Sequence, residues 1–118
     1  MSGTSADGVD VALTRISGRG LEMTAELVHH AHRPYPPSLR AEIFAFRGGA
    51  VHSDFLGRLA RLGREISLTY ATTVNEALSA AKLNAGDLAA VAAHGQTLFH
   101  DPPDTIQWLD PSLIAAEV

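Results

Sequence analysis

From residue 53 onward, Leu56, Leu59, Gly63, Ile66, Tyr70, Val74, Ala77 and Ala81 recur every three to four positions. That spacing lines one face of an α-helix. It predicts a single amphipathic helix over residues 53–82, unbroken at Gly63 and ending near Asn84 and Gly86. In a chain of 118 residues such an element is the main organiser, because its apolar face needs a surface of comparable length to cover it. Arg61 and Glu65, four apart, are expected to pair on its outer side.

The segments before it supply that surface. Val9, Val11 and Leu13 alternate with Asp10, Ala12 and Thr14, the period of a half-buried strand. The turn signal Ser17–Gly18–Arg19–Gly20 then leads into a second strand-like run that Pro34, Pro36 and Pro37 terminate. Ser38 is the expected N-cap of a further helix, stopped by Gly48 and Gly49. Beyond the long helix, "DLAAVAAHGQT" reads as a small apolar strand, and "DPPD" as a stiff loop. Asp110 is the expected N-cap of a last helix, with Pro111 at its first position. The order β-β-α-α-β-α predicts one α/β domain.

Composition narrows the function. Hydrophobic residues make up 46% of the chain and charged residues 19%, the balance of a globular protein. There is no cysteine, which removes disulfides and thiolate metal sites. No apolar run approaches a membrane span, and the start lacks the pattern of a secretion signal, so no membrane role and a cytoplasmic location are expected. Net charge is −4, with Arg33, Arg40, Arg47, Arg58, Arg61 and Arg64 grouped in the middle third. Without interleaved aromatics and with an acidic balance, that group reads as a solvated helix face, and no nucleic acid is expected as a partner.

Two stretches carry chemistry. In "GTSADGVD" the glycines permit positive φ and open backbone N–H groups to a ligand, while Thr4 and Ser5 add hydroxyl donors. Such a loop suits an anion such as phosphate. It is no Walker loop, since the chain's one lysine is Lys82. Backbone donors and a divalent cation must then meet the phosphate charge, which gives Asp7 or Asp10 a role. Three apart in a strand, the two acids are expected to face opposite ways. The second stretch places His94, Gln96, Thr97 and His100 where a buried strand is expected to end, a position suited to a polyhydroxylated substrate.

Together, "MSGTSADGVDVAL", "HGQTLFHDP", "TIQ" and "DPSLIAAEV" resemble the N-terminal part of the anhydro-N-acetylmuramic acid kinases. That family lies in the sugar kinase, heat-shock-protein-70 and actin superfamily. The resemblance implies a ribonuclease-H-like half-domain, with a mixed β-sheet and packed helices. It implies use of ATP and Mg to open the 1,6-anhydro ring of the muramic sugar and form the 6-phosphate in cell-wall recycling. It carries the phosphate-loop role onto Gly3, Thr4, Ser5, Ala6, Asp7, Gly8, Val9 and Asp10. It suggests His94, Gln96, Thr97 and Gln107 for the sugar side.

Family members have a short apolar strand ahead of this motif. They also have a second half with the catalytic aspartate, a second phosphate loop and the adenosine site. Residues 1–118 are therefore expected to form the N-terminal portion of an actin-like ATPase kinase domain, with no catalytic residue of its own and no turnover alone. Family members tend to be homodimers. After Gln107 the family usually has an apolar residue and then Gly, where this chain has Trp108 and Leu109. Two other classes remain open. One is a metal-dependent hydrolase built on His30 and His32 with His94 or His100. The other is a non-catalytic binding or assembly module.

Overall fold

The periodicity that opened the sequence reading is realised as one continuous helix. A computed structural model of the chain describes residues 3–49 and 53–118. Met1 and Ser2, which open the first motif, lie outside the described residues. The elements are β1 (Gly8–Ser17), β2 (Thr24–Pro34), α1 (Pro37–Arg47), α2 (Phe55–Ala81), β3 (Gln96–Asp101), β4 (Asp104–Trp108) and α3 (Pro111–Glu117). Single 3₁₀ turns fall at Gly20–Glu22 and Ala85–Asp87.

Helix α2 buries Gly63, Ile66, Tyr70, Val74 and Ala77 of the expected face and adds Leu62 and Leu78, whereas Leu56, expected to pack, is exposed in the first turn. It runs unbroken through Gly63, which is covered by the indole of Trp108, whose Nε1 donates to Leu59 O at 3.0 Å. Ser67 is fully buried in the helix, yet its hydroxyl donates to Gly63 O and accepts from Asp110 N, both at 2.7 Å. The helix stops at Lys82, which takes the left-handed conformation at φ 57° and closes the last turn. Arg61 pairs with Asp54 at 2.7 Å, and not with Glu65 as expected. Asp54 stands two helical turns earlier, on the same side of the helix.

Strands β1 and β2 form an antiparallel hairpin from Gly8↔Pro34 to Ser17↔Thr24, with a bulge between Leu13 and Thr14. Val9 and Leu13 are buried and Val11 half-buried, so one strand face covers α2. Toward the tip, Ile16, Leu21, Met23 and Leu27 are exposed. Helix α1 begins at Pro37, with Pro36 as its N-cap; Ser38 is the second helical residue and not the cap. Proline is preorganised for the first helical position and needs no N–H partner there. Leu39 and Ile43 turn into the core.

The C-terminal third departs most from expectation. Residues 88–95 form no strand, because no described strand runs beside them to complete their backbone hydrogen bonds. The strand begins instead at Gln96 and pairs back on β4, from Gln96↔Trp108 to Asp101↔Asp104. Pro102 and Pro103, expected as a stiff loop, form the tip of this hairpin. The α/β class is as expected, but the strands lie in two separate two-stranded antiparallel sheets and not in one mixed sheet. Helix α3 is capped by Asp110, whose carboxylate accepts from the Ser112 and Leu113 amides. An apolar groove of about 480 Å³ separates residues 85–93 from α3.

Two core clusters result. The larger gathers Val9, Tyr35, Leu39, Ile43, Leu62, Ile66, Leu98 and Ile114, and the smaller gathers Leu13, Val74, Ala77 and Leu78. Both pack on α2.

Candidate functional site

The first motif forms a tight loop ahead of β1. Its backbone geometry differs from expectation, because the positive φ falls on Ala6 (48°) and not on a glycine of the motif. Ala6 is fully buried, which holds it there against the local strain. Gly8 serves another purpose. A Cβ at this position would lie 2.3 Å from Arg33 O and 2.8 Å from Pro34 Cα, so only glycine admits the neighbouring strand.

Five successive carbonyls of this loop are tied to other parts of the molecule. Gln96 Nε2 donates to Gly3 O at 2.8 Å. Arg47 Nη1 donates to Thr4 O. Arg40 donates to Ser5 O through Nη2 at 3.5 Å and to Ala6 O through Nε at 3.1 Å. The Tyr35 amide donates to Asp7 O at 3.1 Å. Both guanidinium groups also lie over the Phe44 ring, at 4.8 and 5.3 Å from its centroid. In a planar trans peptide the N–H points away from the C=O, so anchoring the carbonyls fixes the direction of the intervening amides.

Thr4, Ser5 and Asp7 are exposed. The Ser5 hydroxyl donates to Asp7 Oδ1 at 2.9 Å. This hydrogen bond, followed by those from the Asp7 and Gly8 amides, holds the Asp7 carboxyl below its ordinary range. An exposed, ionised carboxylate beside the Ser5 hydroxyl offers hard-oxygen donors of the kind magnesium takes. Asp7 precedes the first strand residue, so strand alternation does not govern its relation to Asp10. Asp10 sits on β1, where His30 Nε2 and His32 Nδ1 approach one of its carboxylate oxygens at 3.2 and 3.0 Å.

His30 and His32 thus share a face, as expected. Among the described residues, however, no three His, Asp or Glu side chains are arranged to hold a metal ion. That is against the hydrolase alternative, whose third ligand would have been His94 or His100.

The second motif divides. Gln96 and Thr97 are the first residues of β3 and not the end of a strand, because the pairing begins only there. Gln96 is fully buried and reaches across to the first motif. Thr97 Oγ1 donates to Gln107 Oε1 at 2.8 Å across the hairpin, and Gln107 Nε2 donates to Thr105 Oγ1 at 3.1 Å. His94 is exposed, with Nδ1 3.2 Å from Gly95 O. The fold brings Gln96 to the loop; it keeps Thr97 and Gln107 together on the second hairpin. Trp108 and Leu109 pack on Gly63 and Gly95 respectively.

Sequence reasoning missed Arg40 and Arg47. The arginine group is not simply a solvated face: Arg33 pairs with Glu76 and Arg58 with Glu42, while Arg40 and Arg47 hold the loop. Their spacing of seven, two helical turns, was the available signal.

The mixed α/β fold is consistent with a half-domain of a sugar-kinase-like fold. The chain belongs to the anhydro-N-acetylmuramic acid kinase family, whose model matches residues 1–118. It is 34% identical over 124 residues to the anhydro-N-acetylmuramic acid kinase of Bacillus cereus (strain AH820), covering 99% of this chain and 32% of that protein. The kinases of the same name from Bacillus anthracis and Bacillus thuringiensis (strain Al Hakam) match at the same identity and coverage. The chain therefore spans about a third of the length of the curated relatives it matches.

Proposed function

We propose that this chain supplies the phosphate-binding portion of an ATP-dependent kinase that opens 1,6-anhydro-N-acetylmuramic acid and forms its 6-phosphate in cell-wall recycling. The observation that carries the reading is a family match running the full length of the chain. In this reading residues 1–118 are the first part of an actin-like ATPase domain, and the catalytic aspartate and adenosine contacts come from a second half. The protein works in the cytoplasm and tends to form homodimers.

Gly3 to Asp10 take the nucleotide phosphates. The Thr4 hydroxyl and the loop amides donate to phosphate oxygens, while the Ser5 hydroxyl orients Asp7. The Asp7 carboxylate orders a hydrated magnesium ion. ATP with magnesium supplies the phosphoryl group and the charge neutralisation that a lysine-free loop lacks. His94, Gln96, Thr97 and Gln107 border the sugar, with Gln96 also bracing Gly3.

A chimera tests the reading. Residues 1–118 replace the matching first third of the Bacillus cereus relative, and ATP-dependent formation of the sugar 6-phosphate is followed. Turnover that requires Asp7 supports the proposal. A folded chimera without turnover overturns it.

A further inference from the structure

We propose that Arg40 and Arg47 are positioning residues that set the anion affinity of the Gly3–Ala6 loop by holding its carbonyls. The inference rests on the phosphate-loop reading above. Neither arginine belongs to the motif, and both are exposed. Yet their guanidinium groups account for the carbonyls of Thr4, Ser5 and Ala6, three in succession.

Two physical effects follow. Each anchored carbonyl turns the amide of the next residue, at Ser5, Ala6 or Asp7, to the opposite side of its peptide plane. Of these, Ala6 N already closes the turn onto Gly3 O at 3.3 Å and Asp7 N serves its own carboxylate, so the Ser5 amide is the donor the anchoring presents to an anion. A cation on the carbonyl also polarises the peptide, which strengthens its N–H as a donor. The loop thereby gains from its carbonyl side the positive charge that other phosphate loops take from a lysine.

The two arginines differ in a way that can be measured. Arg40 bridges two consecutive carbonyls with Nε and Nη2, a fork that a lysine ammonium cannot reproduce. Arg47 makes a single contact, which an ammonium can replace. Phe44 lies beside both guanidinium groups and limits their rotation.

The test uses the ¹⁵N-labelled 118-residue chain, with amide exchange of residues 5–8 as one readout and titration with sodium tripolyphosphate as the other. Arg40→Ala and Arg47→Ala are each expected to speed loop exchange and weaken tripolyphosphate binding on the order of tenfold, a change of about 1.4 kcal/mol. The β1–β2 amides and the melting temperature stay as in the wild type, which shows that the fold is intact. Arg47→Lys restores wild-type behaviour, and Arg40→Lys behaves as Arg40→Ala. Unchanged loop exchange in both alanine variants overturns the proposal, and so does faster exchange with unaltered tripolyphosphate binding. Wild-type loop amides that ignore both tripolyphosphate and ATP overturn the phosphate-loop reading itself, a result distinct from either.

Discussion

Ala6 and Gly8 are two residues apart, and each has a conformation or a clearance that its neighbours impose. Gly8 lies against the backbone of Arg33 and Pro34, so nothing flexible can yield to a methyl group there. Gly8→Ala is expected to lower unfolding free energy by about 1–3 kcal/mol in denaturant titration. A loss below a few tenths would show that the strands part without cost. Asp7 carries the chemistry of the loop. Its carboxyl is held down by the Ser5 hydroxyl and by amides, so its ionised form belongs to the ordered loop. The order it confers is present above the ordinary value of 3.8 and is lost as pH falls through the lower, folded-state value. The side-chain carbon of Asp7 should therefore titrate below 3.8, and a midpoint above that would contradict the geometry. In the chimera, Asp7→Asn should impair ATP and magnesium use far more than sugar affinity, seen as a fall in kcat and a rise in the KM for ATP at unchanged sugar KM. Unaltered kinetics would remove Asp7 from cation ordering.

Helix α2 is touched at Gly63 by a side chain from far along the chain. A Cβ on Gly63 would stand 2.8 Å from Trp108 Nε1, which is itself bonded to Leu59 O. Helix propensity alone favours alanine over glycine by about 1 kcal/mol. Gly63→Ala is expected to destabilise the wild type, and to stabilise a Trp108→Ala background by about that amount. A double-mutant cycle measures the coupling, and additive effects would show that the indole moves aside freely. This element also shows what a sequence can reveal. The period of α2 persists over seven turns, so the middle of its face was legible, though not the exposure of Leu56 or the burial of Leu62 and Leu78. The Asp110 cap was legible too, since it depends on neighbours two and three residues on. Residues 88–95 were not legible, because an apolar run becomes a strand only where another strand runs beside it. In the site, the Gly/Ser/Thr/Asp loop was legible as a motif, whereas its hold by Arg40, Arg47 and Gln96 was not. Those contacts join residues 34 to 93 positions apart, which no local pattern encodes.

At the scale of the molecule, the radius of gyration is 15.7 Å, against about 13.5 Å for a compact domain of this length. The longest axis reaches 49 Å. The first hairpin carries exposed apolar residues toward its tip, and an apolar groove lies beside α3. The 118-residue chain is expected to bind ATP with magnesium only weakly, near millimolar, which corresponds to about 4 kcal/mol. A few hydrogen bonds to phosphate can supply that much, whereas no adenine contact adds to it in this reading. Titration calorimetry checks the value, and a low micromolar constant would show that the chain holds a more complete site. The carbonyl anchors also have a kinetic meaning. Contacts across 34, 43 and 93 residues form after local ones, because the intervening chain must first be arranged. The loop is therefore complete only once Gln96 is in place against Gly3. Until Gln96 has left the ribosome, the emerging chain lacks the anchor of Gly3, so synthesis itself delays the moment at which the loop is complete.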